Sequence, residues 1–168
     1  MEERAEHKDV TVKRVGGYLH KVIPIMDRSG RVLSYVLRPF MVEFRPRDLF
    51  QIIVGASVLA IPVAFTEEAW ELGMQLPLNN VLILGGLSLL IIACFVYFHT
   101  YRFNFKGHEF NYVKRVFATY FVSLAVVGIL LTIIEKCPWG VDNILAVKRI
   151  IIVAFPATMS AAISDTLK

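Results

Sequence analysis

Four apolar runs, at about 49–66, 80–98, 113–134 and 145–164, constrain this chain more than any other feature. An α-helix needs about 20 residues to cross a hydrocarbon core of about 30 Å. Each run meets that length. Inside a bilayer the backbone has no water to bond with, so helices satisfy it internally. A closed β-barrel would instead show alternating segments of about 10 residues, and the chain has no such pattern. The expected fold class is therefore an all-α membrane protein with four transmembrane helices.

Composition points the same way. Of 168 residues, 56% are hydrophobic, and the mean hydropathy is +0.58. A soluble domain of this length has too much surface for its volume to hide that much apolar matter. Charge is concentrated before Asp48, which divides a basic segment, 1–47, from a membrane domain, 48–168. The first residues are polar and charged where a secretory signal would carry its apolar core. Cys94 lies in an apolar run and Cys137 in a loop, at opposite helix ends, so no disulfide is expected.

Residues 1 to about 12 are expected to be frayed. Beyond them, Tyr18–Ile23 and Arg31–Leu37 are rich in β-favouring residues and flank Asp27-Arg28-Ser29-Gly30. Asp, Ser and Gly close tight turns, so a small cytosolic β-hairpin is expected. A lone hairpin is marginal in water and needs support from a neighbour, a partner or the membrane surface.

The distribution of basic residues sets the orientation. Arg38, Arg45 and Arg47 precede the first run, and Arg102, Lys106, Lys114 and Arg115 lie between the second and third, the last two at the very start of the third. Glu67, Glu68 and Glu71 follow the first run with no basic residue among them. The positive-inside rule then puts both termini in the cytosol. Trp70, Trp139, Tyr97, Tyr101 and Tyr112 fall at the expected interfaces. The net charge of +4 follows from this topology, and no nucleic-acid partner is expected. Lys148 and Arg149 are the exception, because they fall at the outer end.

The first run and its outer end offer the strongest chemistry. Ser57, Ala60, Ala64, Glu67 and Glu71 share much of one helical face, and Glu68 continues the four-residue spacing from Ala64. One reading is a pore lining of Ser57, Ala60 and Ala64 with Glu67, Glu68 and Glu71 as an acidic mouth, since carboxylates attract cations. Oxygen ligands at Glu67 and Glu68 would suit Ca²⁺; no other cofactor is expected. The other reading is that small residues let helices pack closely and the glutamates lie among headgroups. Pairing of Glu67 or Glu68 with Lys148 or Arg149 would account for the two misplaced basic residues and weaken a filter.

Pro62 and Pro156 each remove a helical hydrogen bond and are expected to kink their helices. Thr158, Ser160 and Ser164 stand ready to repair freed backbone groups or to line a polar path. Asp165, near the cytosolic end of the last helix, is expected to be solvated. His99 and His108 lack zinc-site spacing. No nucleophile elbow, phosphate loop or HExxH helix appears, and the chain is not expected to be an enzyme. The basic residues of the N-terminal segment suit anionic headgroups.

Ala60-Ile61-Pro62, Phe65-Thr66-Glu67-Glu68 with Trp70, and Phe155-Pro156-Ala157 resemble a prokaryotic family of integral membrane proteins of unknown function. The resemblance implies a prokaryotic cell membrane and carries no activity with it. The layout is also similar to that of Orai-type calcium channels. That likeness implies a multimer with the first helix around its axis, Glu67 or Glu68 as a ring, and Arg45 and Arg47 as the basic inner end. Pro62 departs from a straight pore helix.

A chain this small encloses no pore alone, so a conducting form is expected to be a homo-oligomer passing inorganic cations. Two rivals stand beside that expectation. One is a non-conducting assembly partner or sensor working through the N-terminal segment. The other is a proton-coupled small-solute transporter using Glu67, Glu68 or Asp165.

Overall fold

The computed structural model describes residues 11–15, 18–27, 31–39, 46–102 and 109–167. The chain divides into two compact units, at Glu43 and Phe44.

The first unit is a three-stranded antiparallel sheet. Strands β1 (Thr11–Val15), β2 (Tyr18–Met26) and β3 (Val32–Pro39) lie in the order β1-β2-β3. The expected hairpin is β2 with β3, in a register that sets Val22 opposite Leu37. The Asp27 N–H donates to the Arg31 carbonyl at 2.9 Å beside the connection. Strand β1 was not expected, and Thr11 and Val12 belong to it rather than to a frayed end. Thr11, Val12 and Val15 are β-branched, and β1 adds a second ladder in which Thr11 pairs with Val22.

The second unit is helical. Helices α1 (Pro46–Ala64), α2 (Glu67–Gln75), α3 (Leu78–Val96), α4 (Glu109–Ile133) and α5 (Asn143–Thr166) follow in order. A wider π-type turn, Tyr97–Tyr101, continues α3. Pro46–Ala64, Leu78–Tyr101, Glu109–Ile133 and Asn143–Thr166 are each long and apolar enough to cross a membrane. These are the four expected spans.

The first span stops earlier than the sequence suggested, and this matters for the glutamates. Helix α1 ends at Ala64, and Glu67 opens a separate short helix. Thr66 Oγ1 donates to the Val63 carbonyl at 2.8 Å. Trp70 Nε1 donates to the Ala64 carbonyl at 2.8 Å. Carbonyls left free at the end of α1 are thus satisfied by the side chains of Thr66, just before α2, and Trp70, within it. Glu67 and Glu68 lie in the first turn of α2, where the helix dipole favours negative charge.

The small residues of α1 make a seam with α5. Ala56, Ala60 and Ala64 are fully buried; Ala154 and Ala157 of α5 share a core with Ala60 and Ala64, and Ala161 shares one with Ala56. The approach is so close that a Cβ on Gly55 would collide with Ser164. Helices without bulky side chains at the contact gain dispersion energy along their backbones. Pro62 and Pro156 both lie inside their helices.

The link from α4 to α5 is built as a cap. Glu135 adopts a left-handed φ of 59°, and the next residue, Lys136, donates its N–H back to the Leu131 carbonyl at 2.9 Å. Asp142 then caps α5 by accepting from the Leu145 N–H at 2.9 Å, satisfying a donor that the helix start leaves open.

Candidate functional site

Polar chemistry gathers at the two ends of the helical unit. At the Asp48 end, three charged side chains from three helices meet. Asp48 stands in the first turn of α1, Arg115 in the second turn of α4, and Asp165 near the end of α5. Arg115 Nε donates to Asp165 Oδ2 at 2.6 Å. Its Nη2 donates to Asp165 Oδ1 and to Asp48 Oδ2, each at 3.3 Å. All three residues are at most 3% exposed. Tyr101, fully buried, brings its ring and hydroxyl to the same cluster. The planar guanidinium suits this work because its fork can engage two carboxylates at once.

A column of hydroxyls continues up α4 from Arg115. Thr119 Oγ1 donates to the Arg115 carbonyl at 2.9 Å and Ser123 Oγ to the Thr119 carbonyl at 2.7 Å. Farther along the bundle, Ser88 of α3 and Thr158 of α5 share a buried hydrogen bond of 2.7 Å. Thr158 Oγ1 also donates to the Phe155 carbonyl at 2.9 Å, beside Pro156.

At the Glu67 end lies an open cavity of about 400 Å³, lined by Glu67, Trp70, Glu71, Met74, Glu135, Lys136 and Arg149. Helix α2 supplies the first four, the cap after α4 the next two, and α5 the last. The Lys136 ammonium sits 3.8 Å from the centre of the Trp70 ring. Arg149 lays its stem against Gly73, where a Cβ would come within 2.6 Å of its Cγ. Its Nη1 donates to the Lys136 carbonyl at 2.7 Å and its Nε to the Trp70 carbonyl at 3.4 Å. Arg149 therefore ties α2 and the Lys136 turn to α5. Beneath the turn, burial pushes the Cys137 thiol pKa up, an effect opposed by the Thr132 hydroxyl and by Arg149.

The expected site residues divide accordingly. Glu67 and Glu71 come together, and Glu135 joins them. Glu68 is exposed and does not line the cavity. Glu67 and Glu68 do not pair with Lys148 or Arg149 among the described residues. Arg149 is satisfied by backbone carbonyls instead, and Lys148 stays outside the cavity. Ala60 and Ala64 are fully buried, in a core shared with Val127 and Leu131 of α4 and Ala154 and Ala157 of α5. Half-buried Ser57 turns its hydroxyl to the Ile53 carbonyl at 2.8 Å. Among the described residues no group of three or more His, Cys, Asp or Glu is placed to hold a metal ion. Arg47 is exposed in the first turn of α1, and Arg45 lies outside the described residues.

Asp165 is the clearest correction, because it is buried and paired rather than solvated. The sequence marks Asp48 as a domain boundary and Arg115 as an interfacial charge, and does not join them in a site. Arg115 was counted with the positive-inside residues of its loop. Its spacing held a signal, since Arg115, Thr119 and Ser123 recur every four residues and so share one face of α4.

The comparisons with known proteins bear on the membrane domain. A family model described as putative integral membrane protein (DUF2391) matches residues 38–165. No curated protein and no solved structure matches the chain. The match covers all four apolar helices of the second unit and most of the chain's length, so this chain belongs to the integral membrane protein family DUF2391.

Proposed function

We propose that this integral membrane protein provides a pathway for cations as a homo-oligomer, with the Glu67 end of the bundle as its outer, acidic mouth. The observation that carries the reading is the convergence of Glu67 and Glu71 from α2 with Glu135 from the turn after α4 on one open cavity. None of the three is ion-paired to Lys136 or Arg149 among the described residues. Their charge is therefore available to an incoming cation. Carboxylates around a concave, low-dielectric wall raise the local concentration of cations. The positive-inside rule supports the orientation, with both termini in the cytosol.

The lining is revised from the sequence expectation. Ala60 and Ala64 pack against α5, so the small face of α1 is not the path in this reading. The acidic mouth is kept, and it stands on α2.

Proton-coupled transport of a small solute is the second reading. It is favoured by Asp48, Arg115 and Asp165, which are buried together on helices that cross the membrane. Buried ionisable groups on membrane-crossing helices can mark ion or proton routes, and these three sit at one end of the bundle. The alternative of a non-conducting partner or sensor would make the N-terminal sheet, with its exposed Tyr35, the working surface.

Cation flux into liposomes holding the purified protein tests the proposal. Flux that falls or changes selectivity in Glu67→Gln/Glu71→Gln, with the oligomer intact, supports it. A pH-driven, saturable flux that is lost in Asp165→Asn favours the second reading. No flux across several ions and pH values rejects both in favour of the non-conducting alternative.

A further inference from the structure

We infer that the outer edge of strand β3 is where two copies of this chain join, β3 beside β3 in antiparallel pairing with Tyr35 opposite Tyr35. The contact would serve the homo-oligomer of the proposed pathway, yet it is argued from the sheet and does not require conduction.

The strand order β1-β2-β3 leaves β1 and β3 as the two edges of the sheet. An edge strand turns alternate N–H and C=O groups away from its own sheet, and such a row is a template for another strand. The two edges differ in chemistry. Strand β1, Thr11–Val15, is short and holds Lys13 and Arg14. A second β1 laid antiparallel on it and centred there would set Lys13 against Lys13, and like charges directly opposite are destabilising. Lysine on an edge is a guard against pairing. Strand β3, Val32–Pro39, is longer and carries no charge before Arg38. Proline, which has no N–H to offer a ladder, comes only at its last position. Val32, Ser34, Tyr35 and Val36 are all exposed, Tyr35 at 63%. The longer edge is thus the unguarded one.

The occupant that fits this edge is β3 itself. Two-fold pairing centred on Tyr35 sets Val36 opposite Ser34, Leu37 opposite Leu33 and Arg38 opposite Val32. No charge then meets its like, and cross-strand aromatic and β-branched residues support one another. The edges that remain are the two β1 strands, both guarded, so the assembly closes at two copies. Pairing β3 with β1 head to tail would instead leave an unguarded β3 free and run on as an open chain. The sheet leaves Ile25, Val32, Tyr35 and Val36 exposed, and a sheet so small gains stability from added strands. Helix α1 begins at Pro46, soon after β3 ends at Pro39. Copies inserted alike in one membrane therefore carry their sheets on the same side, which raises the effective concentration of one for another.

The test uses full-length protein in liposomes with both native cysteines replaced, as Cys94→Ala/Cys137→Ala. Tyr35→Cys is added and mild oxidation applied. Directly opposed residues lie about 4.5–5.5 Å apart at Cα, within reach of a disulfide, so a linked dimer is expected. Arg31→Cys, placed about 26 Å from its copy in this register, should remain unlinked. Ser34→Cys mixed with Val36→Cys should link one protein to the other more than either to itself, which keeps the test open should Tyr35→Cys fail to fold. In micelles, Tyr35→Lys should weaken the dimer about fivefold in sedimentation, and mixing it with Tyr35→Glu should restore it. A monomeric wild type overturns the inference. So does equal linking through Arg31→Cys, or a dimer indifferent to Tyr35→Lys. Cation flux is read separately. Linking at Tyr35→Cys without flux supports this contact and rejects the pathway. Flux from protein that links at neither Tyr35→Cys nor the Ser34→Cys and Val36→Cys pair overturns the contact and leaves the pathway.

Discussion

Arg115 of α4 and Asp165 of α5 meet through a 2.6 Å hydrogen bond in a place at most 3% exposed, and the same guanidinium reaches Asp48 of α1. Three helices that are distant in sequence are closed at one end by a single side chain. Taking these charges out of water is costly, and their mutual attraction offsets that cost only while all members are present.

Removing Arg115 alone should therefore be severe. Arg115→Ala leaves two carboxylates buried together and is expected to destabilise the fold by about 3–5 kcal/mol. The check is a denaturation series in micelles. Replacing all three members with apolar residues, as Asp48→Leu/Arg115→Met/Asp165→Leu, should restore most of the loss. A triple variant as unstable as Arg115→Ala would show that these residues do more than hold one another. The same triple variant separates stability from transport. If proton coupling runs through the cluster, the stable triple variant loses the pH dependence of flux.

The α1–α5 seam makes a second prediction. A methyl at Gly55 has no room beside Ser164, whereas one at Gly86 meets nothing within 4 Å. Gly55→Ala should cost about 1–3 kcal/mol through overpacking. Gly86→Ala should be neutral or stabilising by up to about 1 kcal/mol, since alanine is the better helix former. Thermal unfolding of the two variants side by side decides it.

How far the sequence alone could go is visible in these residues. Hydropathy over about 20 residues is a strong signal, because every residue of a span contributes to it. All four spans followed from that sum. The end of α1 was harder, since it depends on Thr66 and Trp70 reaching back to two carbonyls. The Thr66-Glu67-Glu68 run carried a helix-start signal, but an apparently continuous face of alanines and glutamates masked it. The alanine stripe could equally face water or another helix, and only the position of α5 resolves it. Arg115 was the least legible, because a basic residue near a membrane end looks the same whether it meets headgroups or a buried aspartate.

Cys137 gives a pH prediction of definite sign. Its thiol pKa is raised by burial in the folded protein, so the native state holds its proton more tightly than the unfolded chain does. The associated stability is complete below the unfolded thiol pKa of about 8.5 and is lost as pH rises through the higher folded value. Denaturation midpoints should fall as the pH rises above about 8.5, and Cys137→Ser should lessen that slope. Alkylation of Cys137 at neutral pH should be slow in the native protein and fast after unfolding. Rapid native labelling would mean that the turn over it opens freely.

Glu68 separates the acidic mouth from mere acidity. It sits beside Glu67 in sequence yet does not line the cavity, while Glu71 and Glu135 do. Under the proposed pathway, Glu67→Gln, Glu71→Gln and Glu135→Gln should each lower cation entry at low ionic strength. Together they should lower it on the order of tenfold or more, because local concentration follows the field of the whole mouth. Glu68→Gln should change little, and the differences should shrink as salt screens the charges. Initial rates of cation uptake into liposomes at low and high salt provide the measurement. An effect of Glu68→Gln as large as that of Glu67→Gln would mean that surface charge in general, rather than this cavity, draws the cation in.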